Sequence, residues 1–409
     1  MDVPIRDVPI RDVPIRDVPI RDVPIRDVPI RSMTWKERYL CAARHQEPDV
    51  VPIAPETFYY IPVQVSGYSC QEVAPVGLTL PFHKIKTWEA QLQCAQHFDF
   101  CGWIMPAVGP AQSNVETETR IATRPDGSQE ATLVHHTRLG PVQEQYWFPI
   151  DDAAWHTERC VKEPARDWPR YFELFFTDPW SADLTEVEEA YARTGGQGIV
   201  SIYVGSPFTD WLCGARDGGY ETVIYELVDN PGLFKPMQAR YIEHVVARVR
   251  MLCQRAPFDE LFMGNEYSEL PLLSPRLWRE WDYPVLQTFC NAASEHGRLA
   301  HWHQHGSVSA LMPDFARSGL AILCPLERPP GGDADLAEIK RLYGDRLCLK
   351  GNVETNLLLN GTPAQVRTQV KECLEAAASG GGYILGTGDQ VARDTPFENI
   401  RALVEAGLE

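Results

Sequence analysis

The chain predicts an α/β fold, a closed (β/α)8 TIM barrel with a small β-hairpin insertion, and three observations point to it. From about residue 195 onward, short β-branched or aromatic runs alternate with longer helical ones. Such alternation requires parallel strands joined by helical crossovers. The strand runs are apolar without a break, as expected of strands covered on both faces. Polar or acidic residues close one run after another, and barrels of this kind collect their sites at the C-terminal ends of the strands. An open doubly wound sheet is the alternative. No Gly-x-Gly-x-x-Gly opens a first strand–helix turn, so a dinucleotide fold has little support.

The elements follow in chain order. After Met1, Asp-Val-Pro-Ile-Arg is repeated six times, ending at Arg31. Proline at every fifth position forbids a helix and spoils a central strand. The period matches no common solenoid, and the run lacks the apolar core of a signal peptide. Residues 1–32 therefore read as a disordered low-complexity tail, with a linear binding motif as the alternative. Met33 reads as the natural start, and residues 33–409 as one barrel. Residues 50–54 and 98–106 read as strands, with a helix over 81–97 between them. The stretch 112–150 differs in kind. Residues 117–123 alternate, Pro125-Asp126-Gly127 turns, and 130–136 alternate again, which makes a β-hairpin. It is placed as a flap near the barrel mouth.

In the second half, 198–205 reads as a strand, and 220–227 and 231–253 as helices, the latter opened by Asn230-Pro231. Residues 260–266 form the next strand. Ser274 caps a helix that Pro275 begins and that runs to His296. Strands over 298–306, 320–327, 347–353 and 382–388 then alternate with helices over 307–318, 335–343, 363–378 and 396–405.

Bulk composition narrows the function. The net charge of −18 argues against a nucleic-acid partner, which would require a basic face. It suits a soluble cytoplasmic protein, and no apolar stretch approaches membrane-spanning length, so no membrane partner is expected. Eleven scattered cysteines without a Cys-x-x-Cys pair read as reduced thiols packed as small apolar groups.

The strand ends supply the candidate chemistry: Glu266, His303, His305, Glu327, Asn352, Glu354 and Asp389, with Glu56 closing the ring from the first strand. His303 and His305 stand two apart, so their side chains point the same way. With Asp389 arriving from another strand end they would make a metal site. Each residue has a plainer reading. A histidine at a strand end is often only solvated. His301 shares the same face one step deeper, as a core residue or as support for a ligand. Asp389 can cap the following turn. Glu266 can bind metal, act as acid or base, or pair with a cation. Glu327, Asn352 and Glu354 can be structural, and Trp103 and Trp211 can be core or pocket wall.

These residues carry a resemblance. The opening TWKERYLCAARHQEPDVVPI (34–53), Leu273-Ser274-Pro275-Arg276-Leu277-Trp278, His303-Gln304-His305-Gly306, the segment 327–333 and Leu349-Lys350-Gly351-Asn352-Val353 are similar to the uroporphyrinogen decarboxylase superfamily. So are Gly361-Thr362-Pro363 and Asp394-Thr395-Pro396-Phe397-Glu398-Asn399. The resemblance spans nearly all of 33–409 and implies a single barrel with its site in the mouth. Within the superfamily, the decarboxylases carry Arg-Gln-Ala-Gly-Arg after the first strand, where the arginines grip tetrapyrrole carboxylates. Here the stretch is Pro55-Glu56-Thr57-Phe58-Tyr59-Tyr60-Ile61-Pro62, without arginine. A polyanion beside Glu56 would lack cationic partners.

The corrinoid-linked methyltransferases of the superfamily hold zinc with a His-x-Cys pair and a distant Cys. His303 matches the histidine, while His305 and Asp389 stand where the two cysteines would be. The resemblance thus implies a metal-dependent methyltransferase or demethylase, with His303, His305 and Asp389 as metal ligands. Zinc is the first candidate, and iron, cobalt or manganese remain open. Glu266 and His303 would be catalytic, and Glu56, Tyr59, Tyr60, Trp103, Asn352 and Glu354 would contact substrate, with Phe58 in the wall. The partners would be a small-molecule methyl donor or acceptor and a separate corrinoid protein. A uroporphyrinogen-type decarboxylase and a non-catalytic small-molecule-binding barrel are the alternatives.

Overall fold

The computed structural model describes residues 32–409. The pentapeptide repeat, read above as a disordered tail, lies outside the described residues.

Seven parallel strands stand in the order Tyr383–Thr387, Cys348–Val353, Ile322–Pro325, Leu299–Gln304, Glu260–Gly264, Gly198–Gly205 and Gly102–Ile104. The two outer strands meet on a short extended segment. Ala54 N donates to Leu385 O, Leu385 N donates to Pro52 O, and Cys101 N donates to Ile53 O at 2.8 Å. The segment closes the ring as its eighth stave. The strand expected over 50–54 is thereby reduced to one bridge, Ile53 to Leu385. Too few residues are extended there for a regular ladder.

Helices surround the ring for the reasons their sequences suggest. Thr34 and Glu37 form a reciprocal capping box that starts the helix Trp35–Ala43. Thr362 and Gln365 do the same for Pro363–Ala377, whose buried residues Val366, Val370, Cys373 and Ala377 recur at helical spacing. The single helix expected from Ser274 to His296 is two, Pro275–Trp281 and Tyr283–Glu295. Pro284 lacks an N–H and crowds the preceding turn. The intervening Asp282 is turned to accept from Thr209 N at 2.9 Å and Ser268 Oγ at 2.6 Å.

The insertion is larger than a hairpin. Glu116–Thr123, Gln129–Thr137, Gly140–Phe148 and Trp155–Glu158 form a four-stranded antiparallel sheet. The third strand escaped the alternation pattern because Gln143-Glu144-Gln145 puts polar groups on both faces.

The barrel interior is not a simple apolar fill. Cys324 is opposite His303 in the strand register, so both point inward. Trp103, Glu260, His301, Cys324, Lys350 and Glu56 are buried there. Gly386 makes room: a Cβ on it would press to 3.3 Å from Lys350 Cγ and 3.2 Å from Ala54 O.

Candidate metal centre at the barrel mouth

Strand register builds the centre. His301, His303 and His305 follow one inward-facing row of the strand Leu299–Gln304 and its end. Gly306 then turns the chain away at φ +70°, where a Cβ would fall 2.5 Å from Leu270 O. Only glycine fits that approach. The turn is pinned by Asn265, whose Oδ1 accepts from His305 N at 3.0 Å, and by Glu327, whose Oε1 accepts from Gly306 N at 2.9 Å.

The imidazoles of His303 and His305 face each other, Nε2 to Nε2, at 3.0 Å. Asp389 Oδ2 is 3.8 Å from His305 Nδ1, and Glu327 Oε1 is 3.0 Å from that same nitrogen. One donor atom each from His303, His305 and Asp389 falls within 4.8 Å of the others. Two nitrogens bound tetrahedrally to zinc stand about 3.3 Å apart. The observed spacing, the hard N2O donor set and the half-open position of Asp389 all suit a divalent ion with a free coordination site. The electrostatics differ sharply between the two rings. Burial holds His303 down at about 3, against the pull of Glu56. Burial opposes protonation of His305 too, but the hydrogen bond to Glu327 and the charges of Asp389 and Glu327 raise it to about 9. Asp389 is pushed up to about 6 by burial, although His305 works against the rise.

Beneath the mouth the polar groups form a continuous column. His303 Nδ1 lies 3.2 Å from Cys324 Sγ and 3.5 Å from Glu56 Oε2. Cys324 Sγ is 3.0 Å from His301 Nε2, and His301 Nδ1 is 2.8 Å from Glu260 Oε1. Glu260 also accepts from Trp103 Nε1 at 3.2 Å and from Tyr39 Oη at 3.0 Å. Lys350 Nζ donates to Glu56 Oε1 at 3.0 Å and stands 3.9 Å above the Trp103 ring. Glu56, His303 and Cys324 are a second set of potential ligands, on the opposite side of the His303 ring.

The remaining residues anticipated from the sequence go elsewhere. Glu56 is a buried partner of Lys350, as an unpaired carboxylate at that depth would be costly. Trp103 is interior wall beneath Lys350. Asn352 is fully buried and is used up holding a loop: it donates to Leu326 O at 2.9 Å and accepts from Arg328 Nε at 3.1 Å. Glu354 stands at the N-cap position of the helix Thr355–Asn360, without a side-chain cap bond, and lines an outer cavity with Arg328 and Glu372. Tyr59 donates to Cys70 O at 2.7 Å and Tyr60 to Asp152 Oδ1 at 2.9 Å, so both brace neighbouring segments. Glu266 is exposed, and its side chain makes no hydrogen bond or ion pair among the described residues. Its backbone N–H is held by Asp210 at 2.5 Å. Sequence reasoning missed Lys350, Cys324, Glu260 and Tyr39. For the first three the available signal was a charge or thiol inside an otherwise apolar strand run.

Comparison with known proteins bears on the fold and the family. A family model for uroporphyrinogen decarboxylase matches residues 185–409. Methylcobamide:CoM methyltransferase MtaA of Methanosarcina barkeri is 34% identical over 149 residues, which is 36% of this chain and 41% of that protein. Uroporphyrinogen decarboxylase of Coxiella burnetii is 35% identical over 72 residues, 18% of this chain and 20% of that protein. The aligned regions thus span less than half the length of these relatives. Among solved structures, a methyltransferase from Methanosarcina mazei superposes with a TM-score of 0.60 at 18% identity, covering 92% of this chain and 98% of that one. That likeness supports the barrel fold. With the family model matching more than half of its length, the chain belongs to the uroporphyrinogen decarboxylase family.

Proposed function

We propose that the protein is a metal-dependent methyltransferase or demethylase that moves a methyl group between a small substrate and a corrinoid carried by a partner protein. The observation that carries the reading is the pair of facing imidazoles, His303 and His305, with Asp389 beside them at the mouth. These three residues would hold the ion, zinc before iron, cobalt or manganese. Bound there, a divalent metal supplies Lewis acidity toward a substrate heteroatom such as an ether or alcohol oxygen. The chain's own residues prepare that position. Burial keeps His303 neutral, so its Nε2 lone pair is available. Glu327 fixes the His305 ring through Nδ1, and the Lys350–Glu56 pair cancels charge below. The relatives named as methylcobamide:CoM and methylated-thiol–coenzyme M methyltransferases support the same chemistry class.

Decarboxylation of a tetrapyrrole is the weaker reading, because residues 55–62 bring no cation to the mouth and Lys350 is already committed to Glu56. The test is transfer from a methylated corrinoid to small thiols and alcohols, with and without chelator. Transfer that stops on chelation and returns with zinc supports the proposal. Porphyrin turnover that survives the chelator, without methyl transfer, overturns it. So does a purified protein that holds less than roughly a tenth of an equivalent of transition metal at this centre even after zinc is added.

A further inference from the structure

Within the inserted sheet, polar residues converge where an apolar face is expected. Leu133 is opposite Glu144 and His135 is opposite Val142, so all four share one face. Ala131, Leu133, Val142 and Phe148 on that side are buried and apolar. His135 and Glu144 are the diagonal exception, within side-chain reach across the pair. His156, on the neighbouring edge strand, is opposite Tyr146. Cys160 follows that strand and is buried at the start of the segment leading to the helix Pro164–Phe175.

The distances are those of a built cluster. His135 Nε2 lies 3.0 Å from Glu144 Oε1, and His156 Nε2 lies 3.0 Å from Glu144 Oε2. Donor atoms of His135, Glu144 and Cys160 fall within 4.8 Å of one another. The side chains around Glu144 are held by neighbours. Thr117 Oγ1 is 2.9 Å from His135 Nδ1, Tyr146 Oη donates to Glu144 Oε2 at 3.0 Å, and the Tyr146 ring stacks on His156 at 4.3 Å and 7°. Such outer contacts fix imidazole tautomer and ring plane at metal sites. A second observation points the same way. His156 Nε2 is buried and, despite its nearness to Glu144, is not aligned for a hydrogen bond with any partner among the described residues. A buried ring nitrogen without an aligned hydrogen bond is costly.

We propose that His135, Glu144 and Cys160, with His156 beside Glu144, form a second divalent-metal site that ties the inserted sheet to the chain entering the helix Pro164–Phe175. The donor set is mixed N, O and S, which suits zinc and cobalt. The charges balance, since a dication offsets one carboxylate and one thiolate. Nearby cations do not serve that purpose: Lys162 pairs with Glu158, and Arg159 donates to Cys213 O. An entry path exists, because His135 and Glu144 also line a cavity of about 580 Å³ beside Tyr171, His244 and Arg248. The site is independent of the mouth centre and does not depend on the function proposed for it.

The test loads the full chain with cobalt(II), measures metal per chain, and records the near-ultraviolet spectrum. A thiolate-to-cobalt charge-transfer band is expected. In Cys160→Ser the band disappears and the metal content falls by about one equivalent, as expected of a site that fills when its ligands are present. In His303→Ala the band stays. Glu144→Gln, which preserves shape, weakens cobalt binding at the insertion at least tenfold and leaves the mouth centre filled. The wild-type spectrum needs no variant to fold, and its lack of a thiolate band would overturn the proposal. A band that persists in Cys160→Ser would do the same, because it would assign the thiolate to Cys324.

Discussion

Lys350 Nζ lies 3.0 Å from Glu56 Oε1 inside the barrel, and the two side chains are 0% and 2% exposed. Burial alone would neutralise both groups. Their attraction wins instead: Lys350 holds Glu56 low, and Glu56 holds Lys350 high. Lys350→Met leaves the carboxylate buried without its cation. Urea denaturation should show a loss of about 3–5 kcal/mol, with most of it recovered in Lys350→Met combined with Glu56→Gln. A single variant as stable as the parent would show that water reaches the pair.

His303 has a candidate ligand set on each side of its ring, and two variants decide between them. Asp389→Asn weakens the donors at the mouth. Cys324→Ala removes the thiol between His301 and His303 and leaves two buried ring nitrogens short of a partner. If the ion is held at the mouth, Asp389→Asn lowers zinc affinity at least tenfold at the His303 centre. Cys324→Ala then costs about 1–3 kcal/mol of stability, the penalty for unsatisfied buried groups, and keeps the metal. Chelator competition and thermal melts read the two effects separately, and the reverse pattern would move the ion to the Glu56 side.

Glu327 touches both His305 Nδ1 and Gly306 N, so it positions the ligand without binding the ion itself. Glu327→Ala should weaken zinc binding by about 10–100-fold, the usual effect of losing a carboxylate behind a metal-bound histidine. Glu327→Gln keeps an acceptor for both groups and should restore most of that loss. Equal affinities in the parent and the alanine variant would remove Glu327 from the site.

The parts legible in the sequence share one property: local periodicity. Each later stave is a short apolar run, and the spacing of His303 and His305 put them on one face before any contact was known. The parts that were hidden depend on distant pairing. Lys350 in a buried strand looks like an error until Glu56, 294 residues away, is brought beside it. Cys324 reads as one more small core residue until two imidazoles close on it. Asn352 and Glu354 do stand at the end of a strand, as their placement suggested, but a strand end offers both an inner and an outer direction, and packing chose between them. The third strand of the insertion was masked by Glu144, whose inward carboxylate breaks the apolar alternation to meet two histidines.

His83 belongs to neither candidate ligand set and gives a pH-dependent test of its own. Its Nδ1 accepts from Leu80 N at 3.0 Å, and its ring lies against Phe82 and Phe148. Burial lowers it to about 4, from an ordinary value near 6.5. Protonation would place a hydrogen on the nitrogen that already receives one from Leu80. The folded chain therefore resists a proton that the unfolded chain accepts. The contribution to stability is complete above pH 6.5 and is lost as pH falls from there through about 4. The full shift corresponds to about 3 kcal/mol, and partial exposure of the ring screens this to roughly 1–2 kcal/mol. His83→Asn keeps an acceptor for Leu80 N but does not titrate. Urea denaturation at about pH 7.5 and about pH 4 should show the parent losing more stability than the variant by that amount. Equal losses would mean that His83 takes up its proton in the folded protein as readily as in the unfolded chain.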